Sequence, residues 1–204
     1  MTSLRSILVC GNMCTGKSTL GHRLARNLHG RYISFGDLKR EHLVLGDPIA
    51  RSMQNYADRG EPIPPDLAFR IVEPHLEACT ILSGFPISRP EMIRLEQTCC
   101  VVAAIHLVAD HTQIERRFFA RGECPVCLYL GTIENHCPEH GVKLVQRNNV
   151  TPEEFQRRVR LYEHRIVPFV ASLLDTVSVL RVDTTTQDQN RVLVHVQSWL
   201  NEVR

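Results

Sequence analysis

The residues best suited to chemistry lie near the start of the chain, where "GNMCTGKST" at 11–19 matches the pattern G-x-x-x-x-G-K-[ST]. The glycines let backbone N–H groups turn inward around a phosphate, Lys17 reaches the β- and γ-phosphate oxygens, and Ser18 can ligate Mg²⁺. A strand-like run precedes the motif and a helical period follows it, which is the context that the motif requires. We therefore predict a bound nucleoside triphosphate, with a structural glycine-rich turn as the alternative.

The whole loop is expected to contact the nucleotide. The predicted contacts are Gly11, Asn12, Met13, Cys14, Thr15, Gly16, Lys17, Ser18 and Thr19. Cys14 stands at the tip of the loop, and we interpret it as a filler residue rather than a nucleophile.

A second segment has the spacing of metal ligands. "ECPVCLYLGTIENHCPEHG" at 123–141 holds three cysteines and two histidines, with Cys124 and Cys127 separated by two residues and Cys137 and His140 by two more. The alternative to a metal site is that these cysteines occur by coincidence in a reduced loop. The remaining cysteines with apolar neighbours are predicted core residues, because free cysteine packs as a small hydrophobe: Cys10, Cys79, Cys99 and Cys100.

Composition indicates the class of protein around these motifs. The 204 residues are 43% hydrophobic and 23% charged, which is typical of one soluble globular domain. The net charge of +2 is too small to indicate a nucleic-acid surface. The start lacks the apolar region of a signal peptide, and the longest apolar run, 101–109, is about half of a membrane span. We expect a cytoplasmic protein without nucleic-acid or membrane partners.

The elements that must position the motifs alternate along the chain. Apolar runs that are typical of buried strands, each followed by a helical period, occur at 6–10, 79–83, 101–108 and 177–182, and a fifth, weaker run lies at 31–35. This alternation predicts an α/β fold with a parallel sheet, helices on both faces and ligands at the carboxyl ends of the strands. Pro-rich 60–66 and the segment 118–150 interrupt the alternation and are candidate mobile flaps.

The motifs that follow the phosphate loop make the chain resemble the adenylate kinase family of nucleoside monophosphate kinases from end to end. In chain order they are "ISFGDLKR", "GEPIPPDL", "LSGFPISRPE", "QRNNVTPEEFQRR" and "LRVDTT". The resemblance implies a P-loop kinase with a five-stranded parallel core over 1–34, 69–117 and 157–204. It also implies a monophosphate-binding flap at 35–68 and a lid at 118–156.

Some members of this family close the lid with a zinc knot, and the cysteine segment is similar to it. The implied ligands of a structural Zn²⁺ are Cys124, Cys127, Cys137 and His140, and tetrahedral thiolate and imidazole coordination suits that ion. His136 is the alternative fourth ligand. A lid of this size has too little apolar material for a core of its own, so the metal would hold it rigid.

The resemblance also assigns the basic residues of the donor site. Arg117 takes the place of the adenine-stacking arginine, and Arg121 that of a phosphate-binding arginine. Arg147 and Arg158, eleven residues apart, would close on the transferring phosphate when the lid shuts. The implied catalytic set is Lys17, Arg121, Arg147 and Arg158. Arg116 and Arg157 are neighbours that could be confused with Arg117 and Arg158.

On the acceptor side, the resemblance assigns Arg40 to the acceptor phosphate and Asp37 to a water bound to Mg²⁺. The other implied contacts of the acceptor are Phe35, Gly84, Arg89 and Glu91.

Several positions depart from the family pattern. Ser83 replaces an aspartate near the metal, and Ile87 replaces the arginine that clamps the acceptor phosphate. Arg89, two residues later, would have to reach back to bind that phosphate in its place. Phe35 replaces a threonine near the acceptor base. In the lid, Asn148 and Asn149 replace two acids.

Glu91 replaces the glutamine that reads adenine. Ionised Glu only accepts hydrogen bonds, so it would prefer the two donors of guanine or a sugar diol. The alternative is an exposed residue at the start of a helix.

We accordingly predict a monomeric ATP-dependent nucleoside monophosphate kinase that acts on small nucleotides, with AMP or another purine monophosphate as acceptor. A phosphotransferase of the same fold with a different small acceptor, and a nucleotide-binding module without turnover, are the alternatives.

Overall fold

The structure is a computed structural model, which describes residues 4–59, 61–127, 129–146 and 150–203. A parallel five-stranded sheet forms its centre. Its strands are β1 (Arg5–Gly11), β2 (Arg31–Ser34), β3 (Cys79–Ser83), β4 (Cys100–Val108) and β8 (Val179–Asp183), in the order β2-β3-β1-β4-β8. The predicted α/β class with a parallel sheet is confirmed, and each of the five apolar runs contributes a strand.

A second, antiparallel sheet interrupts this alternation. It consists of β5 (Arg121–Glu123), β6 (Leu130–Thr132) and β7 (Val145–Gln146), in the order β6-β5-β7. The strands are short, and the three buried residues clustered around them are Cys124, Cys137 and Leu144. This small cluster agrees with the expectation that the segment has little apolar core of its own.

Helices connect the strands. They are α1 (Lys17–Asn27), α2 (Phe35–Val44), α3 (Pro48–Asp58), α4 (Pro65–Val72), α5 (Arg89–Glu96), α6 (His111–Phe119), α7 (Pro152–Leu161), α8 (Val167–Leu173) and α9 (Gln189–Glu202). A 3₁₀ turn at Glu73–His75 follows α4, and a π-helical turn at Tyr162–Ile166 joins α7 to α8. Within the described part of the chain, none of the helices has both the length and the apolar character needed to cross a membrane.

The central sheet is covered on both faces because its strands are apolar on both sides. Leu8 and Ala104 face the side covered by α4, α5 and α8, where Phe69, Met92 and Leu173 are buried. Alternate residues, such as Ile7 and Ile105, face α1 and α9, where Leu24, Val192 and Val196 are buried. This period of two is the property of a strand, and burial on both faces is typical of parallel sheets.

Two details differ from the predictions. The run predicted at 31–35 ends one residue earlier, because the Ser34 side chain accepts a hydrogen bond from the Asp37 N–H at 3.4 Å and caps α2, which begins at Phe35. Cys100, a predicted core residue, is exposed at the first position of β4, whereas its neighbour Cys99 is buried. Successive side chains of an extended segment point in opposite directions, so only one of the two enters the core.

The register of the sheet aligns the strand ends that carry the motifs. Val9 of β1 lies beside Ser83 at the end of β3, and Gly11 lies beside Leu107 near the end of β4. The phosphate loop therefore leaves the sheet between the segment that follows β3 and the segment that follows β4.

Candidate active site

A cavity of about 590 Å³ lies at the carboxyl ends of the strands and gathers most of the predicted site residues. The phosphate loop contributes Met13, Cys14, Thr15, Gly16, Lys17, Ser18 and Thr19; the acceptor side contributes Asp37, Arg40 and Gly84; and the basic residues after β4 and in α7 are Arg117, Arg121 and Arg158. Arg147 lies outside the described residues. Gly11, Asn12, Phe35, Arg89 and Glu91 do not line this cavity.

The phosphate loop takes its shape from residues with left-handed backbone conformations. Gly11 has φ +144°, and a Cβ there would lie 2.3 Å from the Leu107 carbonyl oxygen of β4. Gly16, at φ +89°, caps α1. A side chain at Gly11 would collide with backbone, so this position requires glycine for packing as well as conformation.

Asn12 holds the loop together beneath the cavity. Its carbonyl accepts hydrogen bonds from the Thr15 hydroxyl at 2.9 Å and from Lys17 Nζ at 2.5 Å, and its Oδ1 accepts the Met13 N–H at 2.8 Å. Asn12 thus stabilises the conformation of the loop without lining the cavity. The pattern G-x-x-x-x-G-K-[ST] accepts any residue at this position, so it does not predict that role.

Lys17 is half-buried beside other cations. Desolvation, together with the charges of Arg121 and Arg158, lowers the pKa of Lys17 to about 8. Burial raises the pKa of the Cys14 thiol despite the neighbouring Arg121 and Lys17, so that the thiol stays protonated. This favours the interpretation of Cys14 as a filler residue.

Positive charge dominates the cavity. Among the described residues, the cationic side chains that line it are Lys17, Arg23, Arg40, Arg117, Arg121 and Arg158. Asp37 is the one carboxylate in the same lining, and it forms an ion pair with Arg40. Such an excess of cations in a concave site attracts a polyanion.

Each predicted arginine, Arg117 and Arg158, lies in a different environment from its neighbour in sequence. Arg117 donates to the carbonyl of Cys14 at 3.3 Å and to that of Thr184 at 2.9 Å, so it ties the loop to the end of β8. Arg116, on another side of α6, instead bonds to Gln113. Arg158 lines the cavity and donates to Glu154 at 2.6 Å, whereas Arg157 bonds to Glu154 without lining the cavity.

The predicted acceptor residues divide between the cavity and the core. Phe35 packs against Phe85 with ring centroids 5.8 Å apart, and Arg89 is exposed at the start of α5. The alternative of an exposed Glu91 is wrong, because this residue is 5% exposed and its Oε2 accepts the Ile87 N–H at 2.7 Å. Burial raises the pKa of Glu91. Its carboxylate bonds to the chain just before the helix, as in a capping box.

Hydroxyl groups stand near the phosphate loop where an acid was expected. The Ser83 Oγ lies 2.7 Å from the Tyr32 hydroxyl, and Ser83 and Ser34 both line the cavity. Other lining residues that the sequence reasoning missed include Gly36, Thr184, Gln187 and Gln189. The last three follow β8, so their position after a strand end was the available signal.

The cysteine segment forms the predicted ligand set. One ligand atom from each of Cys124, Cys127, Cys137 and His140 lies within 4.8 Å of the others. The Cys137 Sγ is 3.6 Å from the Cys127 Sγ and 3.5 Å from His140 Nδ1. His136, the alternative ligand, forms a backbone bridge with Lys143 and is not part of the cluster. Three sulfurs and one imidazole form a donor set compatible with zinc.

Comparison with known proteins finds adenylate kinases among the relatives of this chain. No family model matches the chain. The adenylate kinase of Pyrococcus furiosus is 29% identical over 180 residues, which cover 81% of this chain and 82% of that protein. The adenylate kinase of Chlamydia pneumoniae is 28% identical over 200 residues, 92% of this chain and 94% of the relative. That of Salinispora tropica is 28% identical over 184 residues.

The chain is similar to adenylate kinases along most of its length. The alignments extend over 81% and 92% of the chain for the first two relatives. This similarity to adenylate kinases supports a phosphotransferase that acts on nucleotides.

The lowered pKa of Lys17 predicts pH-dependent triphosphate binding. In the free protein Lys17 loses its proton near pH 8, whereas a bound triphosphate raises the pKa of Lys17 and keeps it charged. Binding therefore takes up a proton above that pH. The affinity should fall about tenfold from about pH 7 to about pH 9, by linkage.

Isothermal titration calorimetry with a non-hydrolysable triphosphate, in buffers of different ionisation enthalpy, measures both the affinity and the protons. Lys17→Arg is the matched control, because arginine keeps its charge throughout this range. Equal pH dependence in the two proteins would contradict the assignment of the titration to Lys17.

Proposed function

We propose that the protein is an ATP-dependent nucleoside monophosphate kinase that transfers the γ-phosphate of ATP to AMP or another purine monophosphate. One observation carries the proposal: a single cavity joins the phosphate loop with Asp37 and Arg40 on one side and with Arg117, Arg121 and Arg158 on the other. The donor's triphosphate would lie on the loop, and the acceptor's phosphate near Arg40.

The residues of the loop would bind and orient the donor. Backbone N–H groups of the loop and the start of α1 favour phosphate oxygens. Lys17, now bonded to the Asn12 carbonyl, would exchange that weak partner for a phosphate and regain its full charge. Arg121 and Arg158 would neutralise charge on the transferring group, because phosphoryl transfer depends on positioning and electrostatics rather than on covalent chemistry by the protein. We assign the same role to Arg147.

A magnesium ion fits the oxygen donors of this cavity. Ser18, the second residue of α1, lines the cavity, and Asp37 supplies the carboxylate of its described lining. The ion would supply positive charge that offsets the charge of the phosphates. Since Ser83 offers a hydroxyl bonded to Tyr32 in place of an acid, Asp37 would be the main anion that orients water around the ion. Asp37 would exchange its ion pair with Arg40 for that role.

We propose that the segments 35–68 and 118–156 act as a flap and a lid over the core. The flap carries α2 and α3, and the lid carries the second sheet and the start of α7. Closure of the lid would bring its arginines onto the phosphates and exclude water. We further propose that the protein acts as a monomer in the cytoplasm.

A second candidate is a phosphotransferase of the same fold that takes another small acceptor. Ile87 provides no cation, and Arg89 is exposed outside the cavity. Arg40 is then the one assigned clamp for an acceptor phosphate. An acceptor with less negative charge than a nucleoside monophosphate would fit this reduced set of cations.

A panel of acceptors tests the proposal. With Mg²⁺ and ATP, a coupled assay of ADP release should detect turnover with AMP or GMP and not with unphosphorylated metabolites. Turnover confined to an unphosphorylated acceptor would favour the second candidate. ATP binding without turnover on any acceptor would contradict both.

The same panel tests whether Glu91 reads the acceptor base. If Glu91 reads the acceptor base, Glu91→Gln should raise the ratio of kcat/KM for AMP over GMP by about tenfold, because an amide both donates to and accepts from adenine. Glu96→Gln, at an exposed position of the same helix, is the matched control. An unchanged ratio would show that Glu91 does not read the acceptor base and that its role is to accept the hydrogen bond from the Ile87 N–H.

We also propose that Cys124, Cys127, Cys137 and His140 hold a structural Zn²⁺. Four protein ligands complete a tetrahedral site and leave no open position, so the ion would stabilise the lid rather than act on substrate. The backbone supports the site from both pairs: the Cys124 N–H donates to the Tyr129 carbonyl, and the Cys137 N–H donates to the Val142 carbonyl, each at 2.8 Å.

Metal analysis should give about one zinc per chain. Cys127→Ser or a chelator should make the lid sensitive to proteolysis within 118–150 and reduce turnover, while the core stays folded and still binds triphosphate, because the energy of metal binding stabilises the lid alone. Cys100→Ser, which changes an exposed cysteine outside the cluster, should retain the zinc. Cooperative unfolding of the whole domain on chelation would show that the metal belongs to the core.

A further inference from the structure

The helix that carries Arg158 packs directly on the phosphate loop. Phe155 and Val159 of α7 are buried against Ile114 and Phe118 of α6. Met13 and Cys14, at the tip of the loop, pack against this same cluster. A rotation or shift of α7 would therefore displace Arg158, whereas the loop keeps the hydrogen bonds to the Asn12 carbonyl and from Arg117.

A hydrogen bond anchors this helix to the central sheet. Tyr162 lies one turn after Arg158, and its hydroxyl is 2.9 Å from His106 Nε2. His106 is 8% exposed, on β4 beside Cys10 of β1. The next residue, Leu107, supplies the carbonyl that lies against Gly11. The anchor of α7 is thus the same strand that supports the phosphate loop.

The environment keeps His106 and Tyr162 uncharged, and the hydrogen bond between them satisfies the polar groups of both. Burial, together with the charge of Arg181 on the neighbouring strand β8, lowers the pKa of His106. Burial raises the pKa of Tyr162. A neutral imidazole and a protonated hydroxyl can satisfy each other, and a buried polar group that loses its partner is destabilised.

The bond lies where the helix changes its geometry. Tyr162 is the first residue of the π-helical turn, Tyr162–Ile166, which leads into α8. π-helical turns are rare and occur frequently at functional sites. The turn changes the angular relation between α7 and α8, so packing of α8 on the sheet does not by itself fix the rotation of α7. The Tyr162 hydroxyl can supply that constraint.

We propose that Tyr162 and His106 are a positioning pair whose hydrogen bond fixes the rotation of α7 and thereby the approach of Arg158 to the transferring phosphate. Neither residue lines the cavity, so neither is a catalytic residue. The inference rests on the proposed phosphotransfer for its effect on rate, whereas the anchoring of α7 itself does not depend on it.

The test begins with Tyr162→Phe, which removes one oxygen and keeps the ring. We expect kcat to fall on the order of tenfold, because small displacements of positioned groups reduce turnover steeply. The dissociation constant for a non-hydrolysable triphosphate should stay within about twofold, since the loop residues that hold it remain. Thr176→Val, which removes a hydroxyl from an exposed position after α8, should leave kcat unchanged.

His106 variants and a double mutant separate positioning from general destabilisation. His106→Leu should reduce kcat as Tyr162→Phe does, and His106→Gln, whose amide can bond to the hydroxyl, should restore most of it. The double variant His106→Leu/Tyr162→Phe should cost no more than one single variant, because both remove the same bond. Additive losses, or no rescue by Gln, would overturn the proposal.

Amide hydrogen exchange provides a measurement that does not require turnover. In the free protein, Tyr162→Phe should speed exchange in Pro152–Leu161 and leave β1 and β4 protected. Exchange equal to wild type in α7 would overturn the anchoring. If the wild-type protein transfers no phosphate to any acceptor but α7 exchanges faster in the variant, the proposed function fails and the anchor stands.

Discussion

An excess of positive charge is the constraint on which this site depends. Lys17 is half-buried in a cavity whose lining has five arginines and one carboxylate, and desolvation, together with the charges of Arg121 and Arg158, lowers the pKa of Lys17 to about 8. Desolvating a charge that has no counter-ion is unfavourable, so a bound anion would stabilise the folded phosphate loop. The carbonyl of Asn12 is the partner that Lys17 has in the ligand-free protein.

The fold responds to this constraint by placing each cation on a different element. Lys17 opens α1, Arg40 lies on α2, Arg117 on α6 and Arg158 on α7, while the register of β1 with β3 and β4 brings the ends of these elements together. Arg117 joins the loop to the end of β8, and the cluster around Phe118 and Phe155 joins it to α7. The cations are thereby held by packing rather than by contact with one another, which would be repulsive.

Features that depend on local spacing could be predicted from the sequence. The phosphate loop and the four-residue metal cluster each follow from a short pattern, and the strands follow from apolar runs. Features that depend on distant partners could not. The burial of Glu91, the bond between Ser83 and Tyr32, and that between His106 and Tyr162 join residues whose proximity exists only after the sheet has formed. Gln187 and Gln189 line the cavity because β8 ends beside β4, which the sequence alone does not specify.

The most direct test of the account is phosphoryl transfer by Lys17→Ala, with Lys143→Ala, an exposed lysine far from the loop in sequence, as the control. The account predicts that the Lys17 variant keeps the circular dichroism spectrum of the wild type and loses turnover on the order of a thousandfold, because one positioned cation at the γ-phosphate is removed. The control should retain its activity. Turnover of Lys17→Ala within about tenfold of wild type, well below the loss expected for such a group, would contradict the assignment of this cavity as the site of phosphoryl transfer.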